Sequence, residues 1–279
     1  MNIERELTHL KCQMSHYKEV MKAISPESIG YSELTSVIGP ILVLNHTSLE
    51  SIVLLAENDK YRDLIILSRP FLESVINIGF ICANNEAVIA SKKYAYQKGY
   101  RDLFRDLDIN GFSIKSGFSQ HIKEFENSTP ENLKEAISDF TLKNGREKMS
   151  WVNENTKEKL ELIGKTYGEY VNGLLTFAFY AIYRDVSEII HNSYYGARIF
   201  LGMQQKDITM FRDSAEAAEY FGQHQIKLAT LIIQQINISI NSLINILKQK
   251  FLLDSVKEIF ENSNTAMIQY ASSLDEKNS

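Results

Sequence analysis

Two cysteines, four prolines and one tryptophan are all that 279 residues contain of those types. Cys12 and Cys82 make neither a disulfide framework nor a zinc ligand set, and among helix-forming neighbours both read as free buried thiols of a reducing compartment. Pro26, Pro40, Pro70 and Pro130 all lie in the first half, so the remaining chain is free to run in long uninterrupted helices. A long apolar run without charge is also missing. The nearest candidate, Leu64 to Ala83, carries Arg69, Glu73 and Asn77, which are costly in lipid, and it reads as a buried helix. The opening Met1-Asn2-Ile3-Glu4-Arg5-Glu6 is charged where a secretory signal would be apolar. A cytoplasmic protein without membrane contact is expected. Positive charge is not in excess either: the formal charge of -5 argues against a nucleic-acid-coating protein and leaves only local patches to meet a polyanion.

What is present is helical and amphipathic. A content of 44% hydrophobic and 10% aromatic residues is enough for a substantial core at this length. Periodicity and capping signals predict helices at 2–24, up to Asn58-Asp59, at 61–83 with Pro70 kinking it or marking its start, and at 85–107. Further helices are predicted from Thr129-Pro130-Glu131 to Asn144-Gly145, from Asn155 onward, over 168–201, and from Asp213, with Glu216 placed for a capping box, to Phe251. A last helix and a polar tail, Asp275 to Ser279, close the sequence. The stretch 108–128 breaks every apolar period and reads as a loop. The expected architecture is an all-α multi-helix bundle with long antiparallel helices. It forms one domain over 1–279, with 108–165 as an insertion or embellishment.

The chemistry concentrates in Tyr183-Arg184-Asp185-Val186-Ser187-Glu188-Ile189-Ile190-His191-Asn192. Seven residues is almost two helical turns, so Arg184 and His191 return to one face within roughly 20°, with Ser187 and Glu188 beside them. Tyr180, Tyr195 and Arg198 continue that stripe, opposite an apolar face of Leu175, Ala178, Ile182, Val186 and Ile189. A second polar stripe, Arg69, Glu73 and Asn77, lies in a very apolar helix, where unpaired buried charge costs several kcal/mol, on the order of three or more. Cross-pairing of Glu73 with Arg184, or of Arg69 with Glu188, is the expected remedy. On the fourth helix Lys92, Lys93, Lys98, Arg101 and Arg105 alternate with Tyr94, Tyr96 and Tyr100, a pattern able to track an RNA backbone and stack bases.

Arg184 and His191, separated by six residues late in a helical chain and with polar Asp185 after the arginine, resemble the R-x4-6-H signature of the HEPN superfamily. Arg69-Pro70-x-x-Glu73 together with Arg184-x-x-Ser187-x-x-x-His191 also looks like a group of bacterial proteins known only as a domain of unknown function, over roughly residues 45 to 200. The HEPN resemblance implies a helical homodimer acting as a metal-independent endoribonuclease in toxin-antitoxin or phage-defence systems, with an antitoxin or defence protein as partner. It makes Arg184 and His191 the catalytic pair, supported by Arg69, Glu73, Asp185, Ser187, Glu188 and Asn192, and it calls for no cofactor and no metal. Two alternatives stand beside it. One is a non-catalytic interaction or scaffold module in which the same residues fix helix register. The other is a di-metal oxidoreductase built from Glu6-x-x-His9 and Glu188-x-x-His191 with Glu50 and Glu73.

Overall fold

The computed structural model of the chain describes residues 2–104, 107–114, 130–204 and 206–251. In chain order the elements are α1 (Ile3–Ala23), α2 (Pro26–Ile29), α3 (Glu33–Glu57), α4 (Tyr61–Ala83), α5 (Asn85–Phe104), β1 (Leu107–Ile109), β2 (Phe112–Ile114) and α6 (Glu131–Asp139). They continue with α7 (Thr156–Tyr167), α8 (Glu169–Ile190), α9 (Tyr194–Phe200), a short 3-10 turn at Ile208–Met210, and α10 (Ser214–Phe251). The protein is all-α. Two compact units emerge: Met1–Ala83 together with Thr156–Ser279, and Asn84–Asn155.

Local chemistry fixes where the helices begin. Asn2 accepts hydrogen bonds from the backbone of Glu4 and Arg5, Ser32 and Thr35 form a reciprocal capping box, and Asp213 Oδ1 accepts from Ala215 and Glu216. In the larger unit α4 is central, packing against α3, α7, α8 and α10. Its inward residues Leu64, Ile65, Phe71, Leu72, Val75, Ile76 and Phe80 are fully buried, and each contributes about 1.5–3 kcal/mol of burial. Gly79 lets the neighbours come close, because a Cβ there would stand 2.9 Å from Ile163 Cδ1 and 3.0 Å from Ile246 Cδ1. Pro70 neither starts nor ends α4, which runs through it. In the smaller unit α5 packs on α6, with Tyr94 set edge-on to Phe140 at 5.2 Å.

The helix limits depart from expectation in three places. The helix from 168 to 201 is broken at His191-Asn192-Ser193, where Asn192 adopts a φ of 50°, and Tyr195 and Arg198 therefore belong to α9. The helix from Glu131 ends at Asp139, because Leu142 to Gly145 form a turn that pairs Thr141 with Glu147. Within the stretch read as a loop, Asn110 (φ 51°) and Gly111 (φ 83°) close a two-residue hairpin between β1 and β2, both positive as a type I′ turn requires. Arg105, most of 108–128 and the final helix and tail lie outside the described residues. Cys82 is buried as expected, but Cys12 is exposed.

The cytoplasmic, membrane-free expectation is overturned. Among the described residues three helices, α3, α4 and α10, are each long and apolar enough to cross a membrane. The charges that argued against a span in α4 neutralise each other, since Arg69 Nε lies 3.0 Å from Glu73 Oε1. On α3, moreover, Val43, Leu44 and Leu54 face outward rather than into the core.

Candidate functional site

The apolar stripe of α8 does what its period demands: Leu175, Ala178, Ile182, Val186 and Ile189 are buried. The opposite face is open. Arg184 and His191 are both exposed, and among the described residues neither side chain is engaged in a hydrogen bond or an ion pair. Tyr170 (69% exposed), Phe177 (58%) and Tyr180 (70%) lie on the same outward face of α8.

His191 sits at a tightly built corner. Its backbone caps α8, donating to Ser187 O and Ile189 O, and Asn192 then turns left-handed. Ser193 accepts from Gly196 N at 2.9 Å while its hydroxyl donates to Glu188 Oε2 at 2.9 Å, so Glu188 is spent on the turn. Gly196 presses on the end of α8: a Cβ there would lie 2.2 Å from Glu188 O. From α4, Arg62 Nη2 donates to Asn192 Oδ1 at 2.5 Å. Arg62 was not among the residues singled out in the sequence, since only the α4–α8 packing brings it to the motif.

One turn pair further along the same seam, the expected cross-pairs do not form. Arg69 donates from Nε to Glu73 and from Nη2 to the Tyr183 hydroxyl at 2.9 Å, with its guanidinium carbon 4.2 Å from the centre of the Tyr183 ring. Arg69 thus finds its carboxylate four residues away on its own helix, and Glu188 finds Ser193. Tyr183 is the member that the sequence reading passed over. Asn77 accepts from Lys159 Nζ at 2.8 Å.

Asp185 points elsewhere. At about 100° per residue it is turned well away from Arg184, and it lines a small cavity with Gly202, Gln204, Tyr220 and His224. His224 contacts Ile199 O through Nε2 at 3.0 Å and packs on Gly202, whose φ of 70° and lack of a Cβ make room for the ring. Beside this cavity the Arg212 backbone N–H, followed by Lys206 and the Arg212 side chain, pulls the Glu216 carboxyl down to about 2. Glu216 consequently bonds Arg212 N rather than completing a capping box at Asp213.

The basic run on α5 is largely neutralised within its own unit. Lys93 bridges Glu135 and Asp139, Lys98 meets Glu147 and Asp102, and Arg101 bonds Gln97, Ile137 O and Thr141. Hydrogen bonds to these carboxylates push the Lys93 and Lys98 ammonium groups upward. Lys92 is exposed, and Arg105 lies outside the described residues. The di-metal arrangement does not assemble either: Glu6 is buried against Gln234, Glu73 is held by Arg69, Glu188 by Ser193, and Glu50 lies beside His46. Among the described residues no three His, Cys, Asp or Glu side chains converge on a metal-sized site. Burial raises the Glu6 carboxyl and lowers His9, as expected of groups sealed between helices.

A model of a family of unknown function (DUF5677) matches residues 36–208, which takes in α4, the smaller unit and the α8–α9 corner. Neither a curated protein nor a solved structure matches the chain.

Proposed function

The chain belongs to that family of unknown function, and we propose that it is a metal-independent endoribonuclease of the HEPN kind, with Arg184 and His191 as its reacting pair. The observation that carries this reading is that both side chains stand exposed and uncommitted on one face of α8, beside a corner that fixes the backbone of His191. Neutral His191 takes the proton from a ribose 2′-hydroxyl, whose oxygen attacks the adjacent phosphorus. The bond to the 5′-oxygen breaks, and the imidazolium returns the proton to that leaving oxygen. The products are a 2′,3′-cyclic phosphate and a 5′-hydroxyl. Arg184 holds the non-bridging oxygens in a planar fork as charge accumulates on them. Arg62, Asn192 and Ser193 act through position alone, and Arg69, Glu73 and Tyr183 fix the register of α4 on α8.

The test is cleavage of single-stranded RNA in the presence of EDTA. Wild-type protein is expected to release 5′-hydroxyl fragments, and His191→Ala and Arg184→Lys to lose the activity while keeping their helical circular dichroism. Cleavage abolished by EDTA, or untouched by both substitutions, would sink the reading. A second reading, a non-catalytic interaction module, is favoured by Tyr170, Phe177 and Tyr180, since exposed tyrosines beside an arginine are the usual composition of a protein-binding hot spot.

A further inference from the structure

A group of side chains converges where the 3-10 turn meets the start of α10, all within the larger unit. The Lys206 ammonium stands 4.2 Å from the centre of the Phe211 ring, 5.5 Å from that of Tyr220 and 3.1 Å from Glu216 Oε1. Two rings and a carboxylate therefore surround one cationic head. A box of this kind is how organic cations are held, because the negative faces of the rings attract the charge while covering its apolar surface.

The box does not depend on the lysine that fills it. Phe211 lies 5.3 Å from Tyr220 and 5.4 Å from Phe221, so the rings support one another, and the Tyr220 hydroxyl donates to Gly202 O at 3.0 Å. Glu216 is held separately. Its Oε2 accepts from Arg212 N at 2.9 Å and from Arg212 Nε at 3.1 Å, which leaves Oε1 to Lys206. The carboxylate thus keeps a countercharge and its position when the ammonium departs. Lys206 itself stands outside any helix with its side chain 31% exposed, and rotation of its flexible stem is enough to carry the head into water.

Lysine is also an imperfect occupant. Its ammonium carries three donors, yet among the described residues it donates to a single acceptor, Glu216 Oε1, and the rings replace poorly the water that the other N–H groups give up. A cation without N–H groups loses nothing there. We propose that this box is a binding site for a trimethylammonium group, with Lys206 as its resident competitor. The neighbouring acids have other roles: Asp207 caps the 3-10 turn through Thr209 and Asp213 caps α10. The box contains neither Arg184 nor His191, and its occupancy does not depend on whether the protein cleaves RNA.

Choline titrated into the full-length protein is the first probe. Lys206→Gln is expected to bind it with a dissociation constant of about 1 mM or below, with the N-methyl proton resonances moving upfield because they lie against ring faces. Wild type should bind at least about tenfold more weakly, since an internal cation that fills the box about nine-tenths of the time or more lowers the apparent affinity by that factor. Two controls should each lose about tenfold relative to choline on Lys206→Gln: the uncharged isostere with carbon in place of nitrogen, and Lys206→Gln combined with Phe211→Leu, which keeps apolar bulk without a ring. Circular dichroism confirms that the variants are folded. Retention of Lys206→Gln on phosphatidylcholine vesicles would place the group on a lipid, and choline binding without retention on a free solute; both support the box. Affinity in Lys206→Gln no greater than in wild type, no upfield shift in either protein, or equal binding of the uncharged isostere would overturn the assignment.

Discussion

Gly196→Ala should be among the most damaging single-methyl additions in the larger unit. The added Cβ would stand 2.2 Å from Glu188 O, 2.5 Å from Glu188 C and 2.9 Å from Ile189 N. All three are backbone atoms of the last turn of α8, held there by its own hydrogen bonds, so no side chain can swing aside. The α8–α9 corner would have to open by about 1 Å to reach ordinary van der Waals contact. Overpacking of this kind costs typically 1–3 kcal/mol, and backbone against backbone belongs at the upper end. Alanine's better helix propensity returns roughly 1 kcal/mol, leaving a net loss of about 2 kcal/mol. Gly79→Ala is the matched control: its nearest neighbours are side-chain atoms of Ile163 and Ile246, which can rotate, and the expected loss is about 1 kcal/mol or less. Urea midpoints of the two variants against wild type measure both. The same displacement moves His191 relative to Arg184, and under the proposed function a shift of that size is expected to lower RNA cleavage by about a hundredfold although both side chains remain. A Gly196→Ala protein within about 0.5 kcal/mol of wild type, or less affected than Gly79→Ala, would refute the reasoning about this corner.

The remaining expectations are simpler. Arg69→Ala and Tyr183→Phe, combined in a double-mutant cycle, should show a coupling of about 0.5–1.5 kcal/mol, because the pair shares a hydrogen bond at a half-buried site while phenylalanine keeps the ring; strictly additive losses would mean that the hydrogen bond carries nothing. Glu216 has its folded pKa depressed to about 2 from an ordinary 4.5, so the stability it confers is complete above pH 4.5 and drains away as pH falls toward 2. Glu216→Gln should therefore lose less stability than wild type between pH 5 and pH 3, as followed by urea midpoints, and parallel acid profiles would contradict the assignment. Gln97→Ala removes the acceptor for Arg101 and the donor to Glu147 from a position that is fully buried, and should lower the urea midpoint by the equivalent of about 1–3 kcal/mol; an unchanged midpoint would show that water takes over both contacts.

Much of the fold is local, and such features are legible one segment at a time. The apolar stripe of α8, the Asn2, Ser32 and Asp213 caps and the uninterrupted length of α10 follow from residues within a turn or two of one another. So does the placement of Arg184 and His191 on a common outward face. The break between them and α9 is less legible, because Asn192 and Ser193 sit well enough inside a helix and only the close approach of Gly196 to Glu188 makes the corner worthwhile.

Pairing is a different matter, because a charge takes the nearest suitable partner in space and that partner is set by packing. Arg69 turned to Glu73 and Tyr183 rather than to Glu188, the lysines of α5 were absorbed by carboxylates of α6 and the turn after it, and Asp185 joined His224 across a cavity. Helix type and facing were therefore determined by the order of residues, through periodicities that need no distant contact. Which charges remain free for a ligand was decided only by tertiary structure, since a side chain's freedom depends on groups dozens of positions away that the three-dimensional arrangement alone brings within hydrogen-bonding reach.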